Sequence, residues 1–197
     1  MIAIFNYGAG NLRSVQNTLK EVGAAHVVVK DAEGLRKADK IILPGVGHFG
    51  QLIRSLDRMG VRETFLECIE AGIPFLGICL GLHALFVASE EAPELAGFGI
   101  FDGIVRRFPQ EARVPHMGWN VIEPRKDCRL LKGIPAKSYV YFAHSYYAPV
   151  VDATGATCTY TTPYTALLEH GNIFGVQFHP EKSGPLGLRI VRNFVEL

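Results

Sequence analysis

A cysteine that could act as a nucleophile lies in the segment 75–83, which reads Phe-Leu-Gly-Ile-Cys-Leu-Gly-Leu-His. Cys79 follows an apolar run and stands in a Gly-x-Cys-x-Gly pattern, the form of a nucleophile elbow between a strand and a helix. Gly77 and Gly81 suit such a turn because a Cβ at either position would collide with closely approaching backbone. The elbow would place the Cys79 sulfur at a helix N-terminus, which favours the thiolate, and would direct the N–H of Leu80 towards an oxyanion.

A histidine and a carboxylate that could serve this nucleophile occur in the segment 175–183, Gly-Val-Gln-Phe-His-Pro-Glu-Lys-Ser. His179 ends an alternating apolar segment, and Pro180 cannot continue the hydrogen bonding of a strand. Glu181 stands two residues after the histidine, so its carboxylate can lie on the same side and accept the imidazole N–H. A thiol, an imidazole and an orienting carboxylate predict acyl transfer through a covalent intermediate.

The same residues allow other interpretations. His83 comes four residues after Cys79, one helical turn along the same face, and could be the base instead. We prefer His179 because a carboxylate partner stands beside it in the sequence. Cys79 could also be a buried structural thiol, and Glu181 a solvated side chain. A His-x-Glu metal site would need further ligands at a recognisable spacing, and none follows, so we predict no metal.

Alternating strand and helix signals in the first half of the chain must position the cysteine. Apolar runs predict strands, and apolar residues at helical spacing predict helices between them. The predicted strands are Ile2–Phe5, His26–Val29, Lys40–Leu43 and Ile73–Ile78, and the predicted helices are Asn11–Val22, Phe49–Leu56, Thr64–Ile69 and Leu80–Val87. This order predicts an α/β fold with a doubly wound, mostly parallel sheet and helices on both faces. Such sheets bind ligands at the C-terminal ends of their strands, where the elbow places Cys79.

The second half of the chain changes character, because strand signals separated by turns replace the alternation. The predicted strands are Phe98–Phe108, Gly118–Ile122, Ser138–Tyr147, Thr157–Thr162 and Ile173–Phe178, followed by a helix over Leu186–Val195. We expect some of these strands to pair antiparallel. No linker composition interrupts the chain, so residues 1–197 are predicted to form a single domain.

Composition indicates an ordinary globular protein. The chain is 48% hydrophobic and 20% charged with a net charge of +1, which gives no broad attraction to nucleic acid or membrane. We find no signal-peptide pattern and no apolar run near the ~20 residues that span a bilayer. The four cysteines are scattered without a C-x-x-C pair, which favours free thiols in a reducing compartment. We therefore predict a cytoplasmic protein.

The cysteine and histidine segments together resemble the motifs of class I, triad-type glutamine amidotransferases, G-x-C-x-G-x-Q and F-H-P-E. The resemblance covers essentially the whole chain. It implies a flavodoxin-like fold, no cofactor, Cys79 as nucleophile, His179 as base and acid, and Glu181 as the group that orients the imidazole. His83 stands where the family has a glutamine that touches substrate. Because an imidazole offers fewer donors than an amide, we expect His83 to contact glutamine with altered geometry.

Other segments are similar to one branch of that family, the glutaminase subunits of imidazole glycerol phosphate synthase. They are Asn6–Leu12, Leu43–Phe49, Pro115–Asn120 and Tyr141–Tyr146. Anthranilate and GMP synthase types usually show Pro-Gly-Pro-Gly, and pyridoxal-phosphate synthase types Gly-Gly-Glu-Ser, where this chain has Pro-Gly-Val-Gly. The pentad His-Met-Gly-Trp-Asn discriminates best between the branches.

The resemblance also implies a substrate pocket and a partner. It places Gly47 on the oxyanion side of the pocket, with Ser145 and Tyr146 holding the α-amino and carboxylate groups of glutamine. The partner would be a (β/α)8-barrel cyclase that forms a heterodimer with this chain and receives ammonia through its core. The residues implied at that interface are Asn11, Met117 and Trp119. A core role is the alternative for the tryptophan.

The predicted function is hydrolysis of glutamine to glutamate and ammonia through a γ-glutamyl thioester. The ammonia would serve synthesis of imidazole glycerol phosphate and of the aminoimidazole carboxamide ribotide (AICAR) in histidine biosynthesis. The alternatives are a glutaminase subunit of another synthase, a γ-glutamyl hydrolase or peptidase on the same Cys-His-Glu frame, and a binding protein that only scaffolds a barrel.

Overall fold

The structure, a computed structural model, describes residues 1–197. The strands are β1 (Ile2–Phe5), β2 (His26–Val29), β3 (Lys40–Gly45), β4 (Phe75–Cys79), β5 (Phe86–Ser89), β6 (Phe101–Arg107), β7 (His116–Pro124), β8 (Ser138–His144), β9 (Tyr146–Tyr147), β10 (Thr154–Tyr160), β11 (Thr162–His170) and β12 (Ile173–Val176). The helices are α1 (Leu12–Glu21), α2 (Ala32–Arg36), α3 (Phe49–Arg58), α4 (Arg62–Glu70), α5 (Leu80–His83) and α6 (Gly184–Val195), with 3₁₀ turns over Arg129–Leu131 and Pro180–Lys182. No helix has the length and apolar character that crossing a bilayer requires.

The main sheet has nine strands in the order β2-β1-β3-β4-β12-β11-β10-β7-β8. Its first five strands pair in parallel, and the remaining pairs are antiparallel. The predicted α/β sheet, parallel in its first part with antiparallel strands later in the chain, is therefore confirmed. A second, three-stranded sheet has the order β5-β6-β9.

Alternating side chains of the parallel strands feed two apolar cores, one on each face of the sheet. Ile4 and Ile42 belong to the core that also contains apolar side chains of α1 and α6. Phe5 and Ile41 point to the opposite core, which contains apolar side chains of α3 and α4. The alternation follows from the two-residue period of a strand. Helices cover both faces, as the order of elements predicts.

The central strand β4 positions the candidate nucleophile. It pairs in parallel with β3 on one side and β12 on the other, and all five of its residues are buried. Cys79 is its last residue and lies opposite Gly45 of β3. The loops that follow β3 and β12 therefore reach the sulfur from both sides at the C-terminal edge of the sheet.

The predicted helix over 80–87 is right in its first turn and wrong beyond it. α5 ends at His83, and Phe86–Ser89 is a strand that pairs in parallel with β6. The carbonyl groups of this stretch are bonded by a distant segment, because Phe98 N–H donates to Ala84 O at 2.6 Å and Gly97 N–H to Val87 O at 2.9 Å. Apolar residues crowded after the elbow suit either a helix or a buried strand, so their spacing alone could not decide.

Two predicted strands in the second half also have different limits. The predicted strand over 157–162 crosses a tight turn in which Thr161 has a φ of +61°, and the long strand β11 after this turn was not predicted. The turn contains no glycine or asparagine, and Pro163 follows it, so the sequence gives no hairpin signal. The predicted strand over 138–147 is broken at Ser145, where the chain leaves the main sheet and β9 joins β6.

Candidate active site

The elbow at Cys79 is closed by glycine. Cys79 itself has a φ of +54°, a strained value for a side-chain-bearing residue, and it directly precedes the single turn of α5. A Cβ on Gly77 would lie 2.4 Å from the carbonyl oxygen of Gly81, and a Cβ on Gly81 would lie 2.0 Å from that of Leu43. The sequence pattern therefore reflects real steric closure, and the sulfur is held at the edge of the sheet with little freedom.

The loop after β3 brings peptide groups beside the sulfur. The N–H of Val46 donates to Tyr7 Oη at 3.2 Å, and that hydroxyl donates back to Val46 O at 3.1 Å. Burial raises the pKa of Tyr7 to about 12, with a small contribution from the charge of Cys79 and opposition from the bond to Val46, so the hydroxyl stays protonated. Gly47, with a φ of +101°, donates no backbone hydrogen bond within the chain and can offer its N–H to a ligand.

His179 and Glu181 form a buried pair directly after β12. His179 Nδ1 lies 2.9 Å from Glu181 Oε1, and both side chains are only 3% exposed. The backbone of His179 is clamped, because its N–H donates to Tyr141 O at 2.8 Å and its carbonyl accepts from Ser183 Oγ at 2.7 Å. The imidazole is thus fixed from two sides, and its other nitrogen is left for the cysteine.

The electrostatics of the pair favour a charged imidazole. Burial acts to lower the pKa of His179, but the charge of Cys79, hydrogen bonding with its sulfur, and the bond and charge of Glu181 outweigh burial and raise the pKa to about 10. A protonated imidazole beside a thiolate is the form in which a cysteine nucleophile attacks and its histidine can donate a proton.

A second histidine is joined to the cysteine through an amide. His83 Nε2 lies 2.7 Å from Gln177 Oε1, and Gln177 Nε2 donates to Cys79 Sγ at 3.6 Å. Burial lowers the pKa of His83 to about 4, against a smaller opposite effect of the bond to Gln177. His83 is therefore neutral at neutral pH and is linked to the sulfur through the amide of Gln177.

Most of the predicted site residues meet in one pocket of about 190 Å³. Its walls include seven of the eight residues predicted for catalysis and substrate binding: Gly47, Cys79, Leu80, His83, Ser145, Tyr146 and His179. Glu181, the eighth, stands behind the histidine. A larger cavity of about 850 Å³ lies elsewhere and contains none of them. No group of three or more histidine, cysteine or acidic side chains is arranged to hold a metal ion.

The whole chain matches the family model described as glutamine amidotransferase class-I, over residues 3–197. The protein named imidazole glycerol phosphate synthase subunit HisH from Methanothermobacter thermautotrophicus is 48% identical over 100% of this chain and 98% of the relative. The protein of the same name from Methanocaldococcus jannaschii is 44% identical, with 100% of both chains covered. The chain belongs to the HisH family of class-I glutamine amidotransferases.

Solved structures with the same fold are more distant in sequence. A crystal structure of a glutamine amidotransferase superposes with a TM-score of 0.78 at 20% identity, covering 99% of this chain and 97% of the other. The PurLQS structure from Thermotoga maritima gives a TM-score of 0.79 at 18% identity, with the same coverage. These similarities support the fold of a HisH-family glutaminase and carry no further assignment.

The residues implied at a partner interface of this HisH-family chain lie outside the pocket. Met117 and Trp119 are 64% and 55% exposed and share one face of β7, so the tryptophan is not a core residue. Trp119 contacts the edge of Tyr141 on β8, with ring centres 6.1 Å apart. Asn11 is half-buried just before α1. The exposed face of the β7–β8 hairpin is apolar and continuous across both strands.

Several residues that line the pocket, and the buried Gln177 beside it, were not predicted from the sequence. Glu91 lines the pocket and accepts the N–H of Phe49 at 2.7 Å, at the start of α3. His144 also lines it, donates from Nδ1 to Tyr146 O at 2.8 Å, and has a pKa held well below its usual range, mainly by burial. Gln177 could have been predicted from the sequence, because it stands two residues before His179 in an alternating segment and so faces the same side as that histidine.

Proposed function

We propose that this chain hydrolyses glutamine to glutamate and ammonia as the glutaminase subunit of imidazole glycerol phosphate synthase in histidine biosynthesis. Its membership in the HisH family supports that role. The observation that carries the chemistry is the meeting of Cys79, His179 and Glu181 at one small pocket, on a strained elbow and a clamped loop. Residues 1–197 act as a single glutaminase domain.

Cys79 is the nucleophile of the proposed reaction. Its thiolate attacks the γ-amide carbon of glutamine, and the new oxyanion is stabilised by the N–H groups of Leu80 and Gly47. His179 gives its proton to the leaving nitrogen, and ammonia departs. A γ-glutamyl thioester remains on the sulfur. His179 then takes a proton from water, the hydroxide attacks the thioester carbonyl, and glutamate leaves as the thiolate is restored.

Glu181 sets the state of the base. Its Oε1 accepts the Nδ1–H of His179, so the other ring nitrogen faces the sulfur and the substrate. The carboxylate also stabilises the imidazolium that persists until ammonia leaves. Because Glu181 is buried and fixed within a 3₁₀ turn, it holds the ring without reorganising during the reaction.

Substrate binding falls to the opposite wall of the pocket. Ser145 and Tyr146 stand at the break between β8 and β9, where the chain turns away from the main sheet and leaves half-buried polar groups beside the cavity. In the proposed complex they hold the α-amino and carboxylate groups of glutamine. His83 also lines the pocket.

The ammonia requires a consumer, which we propose to be a (β/α)8-barrel cyclase bound as a heterodimer in the cytoplasm. Free ammonia is protonated in water and loses nucleophilicity, so a direct transfer between proteins is advantageous. The exposed apolar face around Met117 and Trp119 fits a partner surface, because exposed aromatic and methionine side chains are typical of interface cores. In the proposed complex Asn11, just before α1, also contacts the cyclase.

The test is glutamate production from glutamine by the purified chain, alone and with a cyclase barrel carrying its nucleotide substrate. We expect strong activity in the complex. Cys79→Ala should reduce it by roughly 10⁴-fold or more, because the covalent intermediate cannot form. Cys68→Ala, which removes a buried thiol on α4 away from the pocket, is the matched control and should retain activity.

Two results would contradict the proposal. Unchanged turnover in Cys79→Ala would remove the cysteine from the reaction. Cleavage of peptides or poly-γ-glutamates by the isolated chain, indifferent to the cyclase, would indicate a free-standing hydrolase that uses the same residues.

A further inference from the structure

Gln177 is a buried residue of the active site that the reaction above does not use. It follows β12 directly, and its side chain is fully buried. Its backbone N–H donates to Ala166 O at 2.9 Å, which ties this residue to β11. Its amide joins two other buried side chains, since Oε1 lies 2.7 Å from His83 Nε2 and Nε2 donates to Cys79 Sγ at 3.6 Å.

The thiolate, the form in which Cys79 attacks in the proposed reaction, fixes the direction of these hydrogen bonds. A thiolate only accepts, so the amide of Gln177 must turn its NH₂ group to Cys79 and its oxygen to the imidazole. A carbonyl oxygen also only accepts, so His83 must carry its proton on Nε2. Its bare Nδ1 is then an acceptor, and this atom has no hydrogen-bond partner in the chain. Burial, which holds the pKa of His83 at about 4, keeps the ring in the neutral form that this arrangement needs.

We propose that Gln177 is a positioning residue of the glutaminase, which donates a hydrogen bond to the Cys79 thiolate and is held in that orientation by His83. This inference rests on the proposed function, because it takes Cys79 as the nucleophile. A hydrogen bond to an ionised acceptor is stronger than a neutral one and favours the thiolate over the thiol. His83 acts through the amide, and a glutamine in its place could supply the same donor to the oxygen of Gln177.

Other titratable groups surround the sulfur and the imidazole, and the test must leave them unchanged. They are Tyr7, Glu91, His144, Tyr146, Tyr164, His179 and Glu181. Variants at positions 177 and 83 keep all of them. A change in the ionisation of Cys79 in these variants therefore reports on the amide and its support.

The pH dependence of Cys79 alkylation by iodoacetamide tests the inference in the full chain. The modified peptide is followed by mass spectrometry, so that the other three cysteines do not contribute. Gln177→Met keeps a similar side-chain volume and removes both hydrogen bonds. We expect the alkylation midpoint to rise by roughly one pH unit or more, a tenfold loss of thiolate at a given pH below it.

Variants at His83 show whether the histidine acts through the amide. His83→Leu should raise the midpoint by less than Gln177→Met does, and His83→Gln should restore it. In the double variant Gln177→Met/His83→Leu we expect no shift beyond that of Gln177→Met alone, because the two residues form one chain of hydrogen bonds. A merely structural role would lower the urea midpoint of unfolding and leave the alkylation midpoint in place.

An unchanged alkylation midpoint in Gln177→Met overturns the inference. If that variant does not fold, an unchanged midpoint in His83→Leu relative to His83→Gln overturns it equally. The readout needs neither glutamine nor a cyclase, so it stays distinct from the test of function. Failure of the proposed function would instead appear as absent glutamine turnover with normal, Gln177-dependent alkylation.

Discussion

In the parallel half of the main sheet both faces are covered by helices, whereas the β7–β8 hairpin at the far end of the antiparallel half leaves one face to solvent. β4 is buried along its whole length. On the hairpin, Met117, Trp119 and Tyr139 are each more than half exposed. Parallel strands need crossover helices, which bury them, while antiparallel strands can leave one face open.

The difference teaches how the two halves share the proposed function. The parallel half is rigid and closed, so it can hold Cys79 in a strained conformation that a looser region could not maintain. The antiparallel half supplies the opposite wall of the pocket through Ser145 and Tyr146, and its open face suits a partner. The pocket therefore joins a cysteine held by the closed half to residues of the half whose open face we propose to bind the cyclase.

The largest effect should come from removing the buried negative charge of Glu181. Glu181→Gln should lower kcat by roughly 10²- to 10⁴-fold, because the amide can present its N–H₂ group to the ring and stabilise the wrong tautomer. The pKa of His179, raised to about 10 in part by Glu181, should fall, so the alkaline limb of the activity profile should move to lower pH. Steady-state kinetics across pH with the cyclase complex measure both.

The control for this change is Glu63→Gln, an exposed carboxylate at the start of α4, which should keep both kcat and the alkaline limb. An alkaline limb that stays in place in Glu181→Gln would mean that another group than His179 sets it.

A methyl group in the elbow should break the closure of the parallel half. Gly81→Ala places a Cβ 2.0 Å from Leu43 O, a backbone atom that cannot move alone, so we expect a loss of roughly 3 kcal/mol or more in the free energy of unfolding. Gly72→Ala is the matched control, because it has a φ of +85° and open space, and should cost about 1–2 kcal/mol from backbone strain alone. Urea denaturation distinguishes the two, and equal losses would show that the elbow can relax.

The sequence predicted the parallel half better than the antiparallel half, and the reason is physical. The parallel strands are short, mostly apolar runs, and most of the helices between them show their own period, so element type and order follow from local pattern. The limit is reached after the elbow, where tertiary hydrogen bonds from Gly97 and Phe98 turn a predicted helix into β5. No local pattern carries that information.

In the antiparallel half, the turns and the polar contacts could not be predicted from the sequence. The β10–β11 hairpin turns at Thr161, a β-branched residue with positive φ, where a sequence reader expects glycine or asparagine. Within the site, the elbow cysteine and the His-x-Glu pair were predicted from local patterns, whereas Gly47, Ser145 and Tyr146 were implied only by the family resemblance. Glu91 could not be predicted, because it enters the pocket from the loop after β5 and depends on the fold that the sequence pattern missed.

Acid should destabilise the folded chain. Burial lowers the pKa of His83 and of His116 to about 4, and holds that of His144 well below its usual range. The unfolded chain binds protons at these histidines near pH 6.5 while the folded chain does not, so the free energy of unfolding should fall as pH drops from 6.5 towards 4. We expect a loss of roughly 3 kcal/mol or more between pH 7 and 5, measured by urea denaturation.

The raised pKa of His179 opposes this loss only in part, because the folded ring is already protonated at pH 7 while the unfolded ring takes up its proton near pH 6.5. The contribution of His179 is complete below that pH and disappears as pH rises towards 10. His116→Phe keeps an aromatic ring stacked on Tyr160, where the two ring centres lie 4.0 Å apart, and removes one titrating group. Its stability should depend less steeply on pH. An identical slope would exclude His116 as a source of the acid sensitivity.

The smallest effect should appear on the open face. Trp119→Ala removes the exposed tryptophan of β7 and its edge contact with Tyr141. The change should weaken cyclase binding by about 2 kcal/mol, roughly 30-fold in Kd. Val27→Ala, at the opposite end of the sheet and 42% exposed, is the control and should bind as the unchanged chain does. Titration of each variant with the cyclase measures the difference. Because the tryptophan is exposed, its loss should change the free energy of unfolding by no more than about 0.5 kcal/mol. Equal affinities for the two variants would place the partner on another surface and leave the open face of the hairpin without the role that its exposure suggests.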